Sequence, residues 1–233
     1  MSYGASGMPK AKNSHFQPRP MVPTCPLEPF FQSSARKAVE SMNKRLISRL
    51  MHDRVSGLKS SDVYFFRGAF EDILRGIVLD YTPRGVYISD FRFPLFDFAG
   101  PNLLYSDRLP DRPYIENGEM SEEVLVDFVL ASPEARDAFR SDTPVSLAEF
   151  VQYLVESKGS RNPHSQLIYA ASLILLGDES RAAKLLDELP PTLHPKDVPR
   201  CQLLQEKLRQ GPEAARQLLD QVRKENLQEL GLV

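Results

Sequence analysis

Two stretches of this chain match each other 33 residues apart. Ala182-Ala183-Lys184-Leu185-Leu186-Asp187-Glu188-Leu189 aligns with Ala215-Arg216-Gln217-Leu218-Leu219-Asp220-Gln221-Val222. Each stretch follows another helical run and a break, Gly177-Asp178 in the first and Gly211-Pro212 in the second. Helix, break, helix at such a period means stacked α-hairpins. The matched alanines let two helices approach closely, and the matched leucines fill the groove between them. Two units are fewer than the roughly three that stand alone. The hairpins must therefore pack on other parts of the chain, most simply on helices within 121–157.

The first unit reads Tyr169-Ala170-x-x-Leu173, then Leu176-Gly177-Asp178, then Ala182-x-x-x-Leu186-x-x-Leu189. This pattern, over about 163–225, resembles the tetratricopeptide repeats. The second unit departs from it in placing Glu206 where the first has Leu173, and Pro190 comes early for the proline that closes a unit. The resemblance implies a scaffold that binds proteins or peptides, with Tyr169 as one candidate contact.

The front of the chain is different. Six of the 19 prolines fall within residues 1–29, which reads as a flexible arm, since proline fixes φ and removes a donor. Residues 33–56 read as a helix with Ser33 or Ser34 as N-cap and Gly57 just past its end. Val39, Met42, Leu46 and Leu50 form its apolar stripe. Val63 to Phe66, Ile73 to Tyr81 and Val86 to Phe93 are β-branched and aromatic runs. Thr82-Pro83-Arg84-Gly85 joins the last two as a turn, so they predict an antiparallel hairpin. Residues 94–120 read as irregular. Helices are expected from Ser121, from Ser132-Pro133 and from Ser146.

The expected fold class is thus α+β: a helix packed on a small antiparallel β-meander, followed by a mostly helical C-terminal region with two stacked α-hairpins. The expected divisions are an arm over 1–29, an α+β domain over 30–160 and a hairpin repeat region over 161–233.

Charge is uneven. Residues 1–60 carry ten Lys and Arg against three acids, a local balance of +7 that leaves −9 for the rest of a chain whose total is −2. The basic front suits an acidic partner or a solvated helix face. Nucleic acid is disfavoured by the negative total and by the lack of a reading motif. Cys25 and Cys201 stand far apart, outside any metal or redox motif, which fits a reducing compartment. No apolar run reaches the roughly 20 residues that span a bilayer. A soluble, cytoplasmic protein with no membrane partner is expected.

The chain has four histidines, and none has a metal-ligand spacing such as H-x-x-x-H. There is no nucleophile elbow, Walker loop or dinucleotide fingerprint. Asp80, Asp90, Asp97 and Glu156 read as surface groups. No catalytic residue, metal or cofactor is assigned. The densest aromatic stretch, Phe91 to Phe98, is either core or an apolar edge for a partner. The second reading names Phe93, Phe96 and Phe98, with Arg108 and Arg112 as a charged rim and Tyr169 from the repeat. The expected function is non-catalytic protein–protein interaction, as an adaptor, accessory factor or inhibitor of another protein. The alternative is a hydrolase whose site lies between sheet and helical region, built from Asp80, Asp90, Asp97, Arg92 and Arg112.

Overall fold

The computed structural model describes residues 41–140, 143–157 and 161–233. The proline-rich arm, the proposed caps Ser33 and Ser34, and the first half of the linker over 158–163 lie outside the described residues. The first described helix, α1 (Lys44–Arg54), starts later than the sequence pattern predicts. Asn43 is its N-cap, and the side-chain oxygen accepts from the Leu46 amide at 3.1 Å. Its buried line is Ile47 and Met51, turned from the expected Met42–Leu46–Leu50 stripe, because the helix packs on the sheet through that line.

The β-meander stands as expected. β1 (Lys59–Ser61), β2 (Tyr64–Phe66), β3 (Ile73–Thr82) and β4 (Gly85–Pro94) pair antiparallel in sequence order. β3 and β4 hold register from Thr82↔Gly85 to Ile73↔Pro94. The region read as irregular contributes two further strands, β5 (Ser106–Arg108) and β6 (Tyr114–Glu116), which pair with successive segments of β4. Strands of three residues carry too little alternation to be seen in sequence. Gly76 in β3 answers a close approach: a Cβ there would sit 2.0 Å from the Phe65 carbonyl oxygen.

Both faces of the sheet are buried, which overrides the alternation of a one-sided meander. Phe65, Ile77, Leu79, Ile88 and Ile115 face α1, α2 (Glu122–Ala131) and α3 (Pro133–Arg140). Phe66, Leu74, Val78, Phe91 and Phe93 face Leu227 and Leu230 at the end of the chain. Each such side chain contributes about 1.5–3 kcal/mol on burial.

The rest is helical. α4 (Leu147–Glu156) opens with a capping box between Ser146 and Glu149. α5 (Pro163–Leu176), α6 (Glu179–Glu188), α7 (Val198–Gln210) and α8 (Pro212–Glu229) form two hairpins. Gly177 ends α5 at φ +83°, a conformation that favours glycine. The sequence match is a match in burial: Ala182 and Ala215 are both buried, as are Leu186 and Leu219. Glu206, the departure from the pattern, is exposed. α5 packs on α6 and α8, and α7 packs on the same two, so the four helices form a ring of neighbours. One apolar cluster joins Ile73, Phe96 and Tyr105 of the sheet region to Phe150 of α4 and to α5–α8. The core is therefore continuous across the expected division near residue 160.

Candidate functional site

The six candidate contact residues do not share a surface. Phe93 packs under the C-terminal residues on one sheet face, while Phe96 is buried in the helical cluster. These two are core, because the chain turns between them at Pro94 and sends alternate aromatics into different cores. Phe98 is half-buried against the helical cluster. Arg108 stacks on Tyr87, 3.5 Å from its ring centroid. Arg112 is ion-paired with Glu119. Tyr169 is partly buried against the helical cluster and lies under Arg181, whose guanidinium stands 5.3 Å from the ring centroid.

A different constellation forms where the segment after β4 meets the helices. Asp97 is fully buried, not at the surface as its sequence suggests. Its Oδ1 accepts from the Ala99 amide at 2.7 Å, and its Oδ2 accepts from the Asn102 side chain at 3.1 Å. His164 sits in the first turn of α5, after the N-cap Asn162 and Pro163. Its Nε2 lies 2.9 Å from Asp97 Oδ1, and its Nδ1 lies 3.2 Å from Asp197 Oδ2. Asp197 precedes α7 and makes no side-chain cap there, because its carboxylate faces His164 and also accepts from Arg200 at 3.0 Å.

The imidazole thus bridges two carboxylates brought from opposite sides of the junction. Burial alone lowers the His164 pKa, but the hydrogen bond to Asp97 and the charges of Asp97 and Asp197 outweigh it and raise the value above 6.5. The buried Tyr105 hydroxyl lacks a hydrogen bond of standard geometry, yet Asp97 lies close enough to raise its pKa further after burial has done so. Asn226 of α8 donates to the carbonyls of Leu95 and Asp97, fixing the same segment from the far side.

Two recesses flank this bridge. One, about 480 Å³, runs between the 97–100 segment and the α7–α8 hairpin, floored by Phe98, Leu203, Leu218 and Val222. Leu203 is 41% exposed, whereas the others are half-buried. The second, about 520 Å³, is lined by Leu104, His164, His194, Lys196, Asp197 and Arg200. Ala99 and Arg200 border both, so the two make one groove. It is basic at the Lys196 end and acidic at the Glu225 and Glu229 end.

The groups named for a hydrolase do not meet in a cavity. Arg92 pairs with Asp90 at 3.1 Å and with Asp107 at 3.4 Å, and lies over the Tyr153 ring. Its cross-strand neighbour Arg75 pairs with Asp137 at 2.5 Å. Asp90 is buried, again contrary to a surface reading, while Asp80 is half-buried and Glu156 is exposed. Among the described residues, no group of three or more His, Cys, Asp or Glu is arranged to hold a metal ion. The imidazole of His164 stands between its two carboxylates, so the three do not converge on one point. No described helix is long and apolar enough to cross a membrane.

No family model, curated protein or solved structure matches this chain.

Sequence reasoning missed the bridge because Asp97 and His164 are 67 residues apart. The one local sign was Asn162-Pro163-His164, a helix start with a histidine in its first turn, where a cation is otherwise disfavoured by the dipole.

Proposed function

We propose that this chain is a non-catalytic protein-binding module that seats an apolar segment of another protein in the groove beside α7 and α8. The observation that carries the reading is the groove itself: an exposed Leu203 beside half-buried Phe98, Leu218 and Val222, with charge of opposite sign at its two ends. Surface apolar clusters with polar rims of this kind are interaction sites. The ends define the occupant. Lys196 makes no ion pair among the described residues, and Arg200 beside it is 38% exposed. Glu225 and Glu229 stand at the other end. The fitting ligand carries apolar side chains between an acidic and a basic residue.

The nearest alternative, a hydrolase, requires a base with a free nitrogen. His164 is the one histidine in the groove with carboxylate support, and both its ring nitrogens are engaged. That engagement supports the binding reading over the catalytic one.

The test is site-specific photo-crosslinking in the cell of origin, from position 203 and from exposed Glu213 at the start of α8. A partner joined from position 203 and absent from 213, and lost when Phe98→Ala is added, is the expected result. Equal adducts from both positions, or none from 203, would overturn the proposal. Leu203→Asp on the purified chain is expected to leave thermal stability unchanged while abolishing capture of that partner.

A further inference from the structure

We infer that His164 is a proton-dependent clamp that sets the shape of this groove, so that the groove is held in the observed form while the imidazole is cationic and loosens as it loses its proton. The inference deepens the binding reading and rests on it only for its consequence; the clamp itself stands on geometry.

The geometry is specific about charge. A carboxylate is an acceptor only, and a neutral imidazole has one N–H and one lone pair. His164 places one nitrogen 2.9 Å from Asp97 and the other 3.2 Å from Asp197. Only the imidazolium donates to both. In the neutral form, one of the two contacts becomes lone pair against carboxylate, inside a site where the histidine side chain is 12% exposed and Asp97 is wholly buried. Burial makes that mismatch costly, since water cannot fill in at Asp97.

The partners decide which contact opens. Asp97 keeps the Ala99 amide and the Asn102 side chain whichever way His164 is protonated, and Asn226 holds its backbone. Asp197 keeps Arg200 and is nearer solvent at 13% exposure. The Nδ1–Asp197 contact is therefore the one that yields, with the start of α7 and the 193–197 segment moving away from α5. That segment carries Lys196 and His194, and α7 carries Arg200 and Leu203, which together form one wall of the groove.

Other charges face the clamp from each neighbouring element. The 95–105 segment supplies Asp97 and the buried Tyr105 hydroxyl. The α7 approach supplies Asp197, Arg200, Lys196 and His194. From α8, Glu229 reaches the Gly100 position, where an added Cβ would lie 3.2 Å from its carboxylate. Cations and anions are mixed in this set, but His164 alone touches two carboxylates. The raised pKa accords with that arrangement. The sign follows. A raised histidine pKa gives stabilisation that is complete below 6.5 and is lost as pH climbs through the folded value.

The direct experiment is NMR of the imidazole nitrogens in the full chain. At pH 6.5, where an ordinary histidine is half protonated, both nitrogens of His164 are expected to carry protons in most molecules. A neutral tautomer at that pH overturns the inference. Asp197→Asn is expected to bring the titration down toward its ordinary value; an unchanged titration overturns the bridge. The mechanical consequence is read by hydrogen exchange at two pH values, one below 6.5 and one well above it. The wild-type amides of Cys201, which bonds the Asp197 carbonyl at 2.9 Å, and of Gln202 are expected to lose protection several-fold relative to β3 amides, while His164→Gln is low at both pH values. Equal pH ratios in the two proteins would sink the idea. If the variant does not fold, the nitrogen titration decides alone. Crosslinking from position 203 separates the two proposals: adducts that do not depend on pH keep the binding reading and remove the clamp, whereas pH-dependent exchange without adducts keeps the clamp and removes the binding reading.

Discussion

Asn226 donates its side-chain amide to two carbonyls at once, that of Leu95 at 2.7 Å and that of Asp97 at 2.9 Å. The residue is 4% exposed and comes from the far end of the chain, so it ties α8 to the segment that leaves β4. Asn226→Leu keeps the branched outline, removes the donor from the Leu95 carbonyl and leaves the Asp97 carbonyl only the Gly100 amide at 3.3 Å. The expected loss is about 1–3 kcal/mol, one unsatisfied buried acceptor, read as a shift in urea midpoint at constant m-value. An unchanged midpoint would mean that these bonds carry no net stability.

Gly76 makes a second, independent prediction. Alanine at this position drives a methyl group into the Phe65 carbonyl, which must move and break the β2–β3 register. A loss of about 3 kcal/mol is expected for Gly76→Ala by chemical denaturation, typical of overpacking against backbone. Gly177→Ala strains a left-handed cap where nothing stands within 4 Å, and is expected to cost only about 1 kcal/mol.

The pair Asp90–Arg92 bears on pH. Burial raises the Asp90 pKa, and Arg92 lowers it by less. The folded state therefore holds this proton more tightly than the unfolded chain does, and the charged carboxylate is a net burden once pH rises past the folded value. Asp90→Asn is expected to be no less stable than wild type at neutral pH. The difference should close as pH falls below the ordinary value of 3.8. Melting curves across that range check it; a variant much weaker at neutral pH would show that the ion pair wins.

Cys201 is buried in the helical cluster, and its thiol is pushed up to about 11 by burial and then by Asp187. The thiolate is the reactive form, so alkylation of this residue at neutral pH is expected only after unfolding. Peptide mapping with a mass-tagged reagent, with and without denaturant, distinguishes it from Cys25.

Much of the fold was legible because local chemistry and tertiary packing agree. Pro83 and Gly85 mark the hairpin turn, Ser121 and Ser146 mark helix starts, and Ala182 with Ala215 mark equivalent close contacts. What was not legible depends on distant partners. The second buried face of the sheet needs Leu227 and Leu230, whose spacing reads only as a helix end. Phe93 and Phe96 look like one aromatic strip until Pro94 separates their directions. His164 has no carboxylate near it in sequence, so its role is invisible without the fold.

The reach of α8 back to the sheet has a consequence for biosynthesis. All six described strands have been made by Glu116, yet Phe91 and Phe93 lack the cover of Leu227 and Leu230 until these emerge from the ribosome. The nascent chain carries a half-dressed aromatic sheet through the synthesis of every helix from α2 to α8, a long interval of exposure to aggregation. Closure of that face by Leu227 and Leu230 must await α8, and a ribosome stalled before α8 leaves a product that lacks this cover.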